Sequence, residues 1–287
     1  MAPVRRIIGI AALAIALGAS LRAPLWAHAG IDEQIERVNG LIAAEPNSAS
    51  LYVRRGELHR IHRDWPAAEA DLLKALALDP DLAIAELCLG RLKLETGKPA
   101  EAKPYLDRYL RKRPTDSEAL AARGRVLSAL GQPLQAAEDL TRCIEDGNRE
   151  PRPEQYLERA RALQAAGKEH LPRAIQGLDE GRARLGDPVT LQLLAIDLEL
   201  ERGSFDGALR RVDELARQSV RQEPWLIRRA TILEAAGRPA EARASYQRAL
   251  SAIDALPSAR RGTKAVAQLE SEARAALQRL DATPRTQ

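Results

Sequence analysis

The stretch LYVRRGELHRIHRDWPAAEADLLKALALDP, residues Leu51–Pro80, reads as two amphipathic helices joined by a short turn. Gly56 lies in the first helix, Ala68 and Ala75 lie in the second, and Pro80 closes it. The same spacing returns 34 residues later as Gly90, Ala102 and Pro114, and again as Gly124 and Ala136. A self-similar period of this length predicts an array of helical hairpins. A glycine inside a helix costs about 1 kcal/mol against alanine, so close packing is the reason to keep it. With no side chain at Gly56, Gly90 or Gly124, and alanine facing each, the two helix axes approach the low end of roughly 8–10 Å. Pro80 and Pro114 stop each second helix because proline cannot continue the hydrogen-bond ladder.

Working outward, Gly97, Gly131, Gly167, Gly203 and Gly237 are spaced 34, 36, 36 and 34 residues apart. Each falls in the turn within a hairpin, where a left-handed residue ends a helix. The facing alanine continues as Ala174, Ala208 and Ala242, which gives six units: 49–82, 83–116, 117–152, 153–188, 189–222 and 223–257. The intra-helix glycine becomes Ala160, Ile196 and Ala230 in the later units. Ile196 is bulky, so the fifth unit is expected to pack more loosely or to shift. Two extra residues in KEHLPR (168–173) and two in EPRP (150–153) predict a local change of twist around the fourth unit.

The spacing Gly-x(11)-Ala-x(6)-Ala-x(4)-Pro resembles the tetratricopeptide repeat. The resemblance covers roughly residues 30–257. It implies an all-α fold: a right-handed α-solenoid of helix-turn-helix repeats with capping helices at its ends.

The first 29 residues read as a secretory signal peptide. Arg5 and Arg6 precede a mostly apolar stretch, Ile7–Leu21, and Ala27-His28-Ala29 is a small-x-small cleavage site before Gly30. The apolar run is shorter than the roughly 20 residues a membrane span needs, and no cysteine for lipid attachment lies near the site. The chain is therefore expected to be exported, to a periplasmic or extracellular location, with no stable span after cleavage. Removing Arg5, Arg6 and Arg22 takes the basic residues from 44 to 41 against 40 acids. The remainder is near neutral and only 3% of residues are aromatic, which argues against nucleic acid binding.

Residues 30–46 carry Ile31, Ile35, Val38, Leu41 and Ile42 on one helical stripe and form an N-terminal capping half-repeat. Asn47, Ser48 and Ser50 are N-cap candidates for the first full repeat. The six repeats occupy 47–257. Asp71, Asp107, Asp139 and Asp179 recur in the second helices near Arg or Lys and read as solvated helix faces. Ser258–Gly262 is a break, a C-terminal capping helix runs within 258–281, and 282–287 is a disordered tail.

Little here points to catalysis. No nucleophile elbow, phosphate loop or metal motif occurs, and no cofactor is implied. His59 and His62 stand three apart with Asp64 following. A metal site needs convergent ligands held by orienting partners, and packing for His59 and helix capping for His62 is the plainer reading. Cys88 and Cys143 fall on helices that are not direct neighbours, so two buried thiols are expected rather than a disulfide.

The resemblance implies a concave surface lined by the first helices. Its ninth position corresponds here to Glu57, Arg91, Arg125, Arg161, Asp197 and Thr231. Three consecutive arginines thus stand with acids on either side. First helices about 10 Å apart and an extended peptide rising roughly 3.3 Å per residue match carboxylates about three residues apart. Arginine suits them because its planar fork binds carboxylates bidentately. Leu87, Leu157, Leu193 and Ile227, at the fifth position, are expected to add apolar contact. The competing reading is internal: Glu95, Glu118 and Glu154 lie on the same face and can neutralise the arginines. The function expected is a non-catalytic interaction scaffold or adaptor of the cell envelope, holding a peptide or protein partner with acidic groups. The alternatives are an accessory subunit of an exported enzyme or assembly complex, and self-association through an open end of the array.

Overall fold

A computed structural model describes residues 25–145 and 150–282, and every regular element among them is helical. The expected signal peptide lies outside the described residues, except that the backbone of residues 25–29 forms the start of the first helix. Most of the expected tail, residues 283–287, also lies outside them. The chain packs as two compact units, one ending at Asp81 and the other beginning at Leu82.

The first unit holds α1 (Leu25–Ala44), α2 (Ala49–Ile61) and α3 (Trp65–Leu78). Asp64 caps α3 by accepting from the Ala67 amide at 3.2 Å, and Pro66 occupies the first turn, where no amide is needed. Ser48 is the N-cap residue of α2, but its hydroxyl lies 3.2 Å from that of Ser50 and caps no amide. The Gly56–Ala68 contact is a close one: a Cβ on Gly56 would stand 2.9 Å from Leu72 Cγ and 3.2 Å from the Ala68 carbonyl oxygen.

The second unit continues as α4 (Ala83–Glu95), α5 (Pro99–Lys112), α6 (Ser117–Ala129), α7 (Pro133–Glu145), α8 (Pro153–Ala166) and α9 (Leu171–Leu185). Then follow α10 (Val189–Glu201), α11 (Phe205–Gln218), α12 (Glu223–Ala235), α13 (Pro239–Asp254), α14 (Ser258–Arg261) and α15 (Lys264–Ala282). Ser258–Gly262, expected to be a break, is thus largely a short helix. Ala273 and Ala276 of α15 pack into the core cluster of Ala242, Tyr246 and Ala249, so α15 covers the α13 end. The turn glycines Gly97, Gly131, Gly203 and Gly237 are left-handed, with φ between 71° and 81°. Gly167 differs, with φ 135° and ψ 166°, because the inserted residues wind a 3₁₀ turn over Lys168–His170. In the fifth repeat Ile196 is buried, and the residue sixteen further on is Val212 where Leu106 and Leu140 face glycines. The shorter partner absorbs part of the added bulk, and α10 and α11 approach each other less closely than α4 and α5 do.

A second periodic pairing corrects the reading of Asp71 and Asp139 as solvated, while Asp107 and Asp179 are partly exposed. Asp71 and Asp139 are only 6% and 4% exposed. Arg55 on α2 donates from Nε and Nη2 to both Asp71 oxygens, at 2.7 and 2.6 Å, and from Nη1 to Asn39 on α1 at 2.7 Å. Arg123 on α6 repeats the pattern with Asp139 on α7, at 2.6 and 2.8 Å, and Asp107 on α5 at 3.0 Å. Arg229 on α12 bridges Asp213 on α11 and Ser245 on α13. Each arginine thus joins the residues sixteen before and sixteen after it, and fastens one hairpin to the preceding second helix. Repeat four keeps the arginine as Arg159 but puts Gly177 where the acid would be. A Cβ there would lie 2.3 Å from Arg159 Nη2, so the missing side chain makes room for the guanidinium.

Between α9 and α11 a cleft of about 870 Å³ is crossed by a network of ion pairs. Arg211 binds both oxygens of Asp179, at 2.6 and 2.7 Å. Arg182 donates to Asp187 at 2.6 Å and to Glu214 at 3.1 Å. Burial works to raise the Asp179 carboxyl, but Arg211 and Arg182 together bring it below its usual value. The hydrogen bond from Arg182 holds the Asp187 carboxyl down to about 2. A depressed carboxyl contributes stability that is present above its unfolded value of about 3.9 and is lost as pH falls through its folded value. The difference in thermal midpoint between the protein and Asp187→Asn is therefore expected above roughly pH 4 and closes as pH falls through about 2. Asparagine tolerates the left-handed backbone at this position, where φ is 62°, so the comparison isolates the charge. A difference that persists unchanged into strong acid would refute the assignment.

Candidate functional site

The arginine ladder stands on α4, α6 and α8. Arg91 and Arg125 line one cavity of about 780 Å³, together with Glu95, Glu118, Arg152 and Gln155. Arg125 and Arg161 line a second, of about 360 Å³, with Glu158, Pro133 and Leu140. Arg125 is shared, so the two cavities follow one another along the first-helix face of the second unit. The first cavity is mainly polar and the second mainly apolar, and much of the charge along them is matched internally. Arg91 Nη1 lies 2.6 Å from Glu118 Oε1 on α6. Arg125 Nη1 lies 3.7 Å from Glu158 Oε1 on α8. Burial pushes the Glu158 carboxyl above its ordinary value, against the pull of Arg125, Arg152 and Arg161. On α10 the sign reverses: Asp197 accepts from Arg228 on α12 at 2.6 Å.

Two stretches of the helical array are similar to a known repeat. Residues 88–151 and 193–260 match the tetratricopeptide repeat. Solved structures of similar fold include a tetratricopeptide repeat protein from Parabacteroides merdae ATCC 43184, at 15% identity and a TM-score of 0.54 over 87% of this chain and 94% of that one. YrrB, described as a tetratricopeptide repeat protein with an unusual peptide-binding site, gives 19% identity and 0.55 over 74% and 99%. PilW, a type IV pilus biogenesis factor, gives 20% and 0.55 over 68% and 90%. At these identities the likeness is one of fold. No curated protein sequence gives a significant match to the chain.

The repeated hairpins place the expected site residues unequally. Arg91, Arg125 and Arg161 line the two cavities. Glu57, in the first unit, is engaged by Arg60 on its own helix at 3.0 and 3.1 Å. Leu87 is 4% exposed and packs with Ala102, Leu106 and Ala119, and Ile227 is likewise buried. Both are core residues and offer no apolar contact to a ligand. Leu157 is half-buried against the core around Leu163 and Leu171. Leu193, with Val189 one turn before it, is exposed. Arg152 lines the first cavity and was not singled out by the repeat register, because it precedes α8 as its N-cap residue.

Elsewhere, His59 lies 3.9 Å from carboxylate oxygens of both Asp64 and Asp71, and His62 is the C-cap residue of α2. Among the described residues no group of three or more His, Cys, Asp or Glu is arranged to hold a metal. Cys88 and Cys143 are both buried thiols. Among the described residues no helix is long and apolar enough to cross a membrane.

Proposed function

We propose that this protein is an interaction scaffold that holds an extended segment of a partner along α4, α6, α8 and α10. The single observation that carries the reading is the sharing of Arg125 between two successive cavities, which joins the ladder arginines along one track. Guanidinium groups at the spacing of neighbouring helices suit a segment bearing carboxylates about three residues apart. YrrB, of the same fold, is described by its peptide-binding site, which supports a peptide as occupant. The basic and apolar N-terminal sequence adds the cell envelope as the place of action, on the sequence reading alone.

The test is capture from envelope extract by the protein and by a variant carrying Arg91→Glu, Arg125→Glu and Arg161→Glu. Equal helicity by circular dichroism comes first. A partner held by the unaltered protein and lost by the variant is the expected result. Identical captured sets would move the binding surface away from this track.

A further inference from the structure

We infer that the smaller cavity is the specificity pocket of this track: it takes one large apolar side chain of an extended partner segment, while Arg125 and Arg161 take a carboxylate of the same segment in competition with Glu158. The inference rests on the groove reading above and says where along the track selection occurs. The pocket, of about 360 Å³, is at the small end of the roughly 300–1,000 Å³ of ligand sites. It has room for a side chain and none for a helix about 10–12 Å across. Glu158, Arg161, Ala162 and Ala165 line it from α8 at positions i, i+3, i+4 and i+7, which is one face of that helix. Arg125 lines it from α6, and Pro133 and Leu140 from α7. Leu140 is fully buried and held against Gly124, where an added Cβ would stand 2.9 Å from its Cγ. The apolar part of the pocket is thus fixed by the same close packing that repeats along the array.

Charge decides what must accompany the apolar side chain. Among the described residues of the lining, Arg125 and Arg161 are positive and Glu158 is negative, so one positive charge is left over. Both arginines are exposed. Glu158 holds Arg125 loosely: 3.7 Å separates Oε1 from Nη1, longer than a hydrogen bond. In the first cavity Arg91 meets Glu118 at 2.6 Å. A ligand carboxylate therefore displaces a weak contact at the second cavity and a close ion pair at the first. The first cavity is also mainly polar and gives an apolar side chain less to bury against. Burial already disfavours the charged form of Glu158, so a neutral amide is a fair replacement there. In an extended segment, side chains two positions apart share a face. The segment that fits both features carries an acid and, two residues on, a large apolar residue.

The experiment is a titration of the isotopically labelled full chain with a synthetic peptide, read by the amide chemical shifts of Gly131 and Ala162 at the pocket and of Ala121 and Ala122 at the first cavity. The peptide is Ser- and Gly-based, blocked at both ends, with one Asp and a Phe two residues after it. Control peptides replace Asp by Asn or Phe by Ser. Protein variants are Glu158→Gln, Ala165→Trp and Glu118→Gln, each first checked for unchanged helicity. Ala165 is exposed, so its replacement fills the pocket without entering the core. The expected result is saturating shifts at Gly131 and Ala162, and a loss of roughly tenfold or more in affinity for Ala165→Trp and for either control peptide. Glu158→Gln, which removes the competing carboxylate, is expected to tighten binding by about threefold or more. Glu118→Gln is expected to change affinity by less than about twofold. Shifts confined to Ala121 and Ala122, an indifferent Ala165→Trp, or a Glu158→Gln that leaves binding unchanged or weaker overturn the pocket and leave the groove reading standing. No shift at either cavity with the unaltered protein overturns both.

Discussion

Arg123→Ala is expected to destabilise the protein by about 3–5 kcal/mol, the cost of leaving a buried charge without its partner. The guanidinium binds both oxygens of Asp139 and one of Asp107. The Asp139 side chain is 5% exposed and would keep only Arg142, at 3.7 Å, whereas Asp107 retains Lys103 at 2.6 Å. Part of the loss therefore falls on Asp139 alone. The ordinary direction for a buried ion pair is that removing both members costs less than removing one. Arg123→Met combined with Asp139→Leu should accordingly recover most of the loss. Chemical denaturation of the two single variants and the double variant measures the coupling directly. A loss below about 1 kcal/mol, the value of an exposed ion pair, would show that Asp139 is solvated after all.

The second large effect is expected at Gly90. A Cβ there would lie 2.6 Å from Leu106 Cγ and 2.7 Å from its Cδ2, and Leu106 is fully buried. Gly90→Ala gains about 1 kcal/mol of helix propensity and loses about 1–3 kcal/mol to overpacking, so a net loss of up to about 2 kcal/mol is expected. Gly90→Leu adds three further heavy atoms with nowhere to go, and a loss at or beyond about 3 kcal/mol is expected. Gly40 is the internal control. It sits inside α1 with nothing within 4 Å of an added Cβ, so Gly40→Ala should stabilise by about 0.5–1 kcal/mol. Thermal unfolding of the three variants separates glycine kept for closeness from glycine that is merely present. A stable Gly90→Leu would mean that Leu106 has an alternative place to pack.

These two residues also mark what could be read from the sequence. Gly90 announced itself through a fixed interval, because backbone approach leaves a small residue at each recurrence. The fold followed from that interval and from the prolines and turn glycines that bound each helix. Arg123 did not announce itself, although the aspartates it binds recur visibly. Nothing in a helix pattern distinguishes a carboxylate facing water from one facing a guanidinium sixteen residues upstream. Once a hairpin register is known, Arg55 with Asp71 and Arg123 with Asp139 become legible as a pair at constant offset. The groove was legible in outline only. Register placed Arg91, Arg125 and Arg161 on one face, but it placed Leu87 and Ile227 there as well, and both are core. A small rotation of a helix about its axis decides whether its fifth residue is buried, and that depends on the side chains of the neighbouring helix. Gly167 shows the same limit: its interval matched, and a two-residue insertion changed its conformation.

The arginine bridges carry a further consequence, for how such a chain can be lengthened or rearranged. Arg123 needs an acid on the helix before its own hairpin, and Asp107 supplies it. The equivalent site in the second helix of Arg123's own hairpin is Thr141, whose hydroxyl is turned back onto the Ala137 carbonyl. A gene that duplicated this hairpin in tandem would set Thr141 ahead of the second Arg123, which would keep Asp139 but lose its other carboxylate at the junction. The hairpins are therefore not interchangeable cassettes. Their order is written in complementary side chains at each seam, so unequal crossing-over within this array is penalised in proportion to the partners it separates.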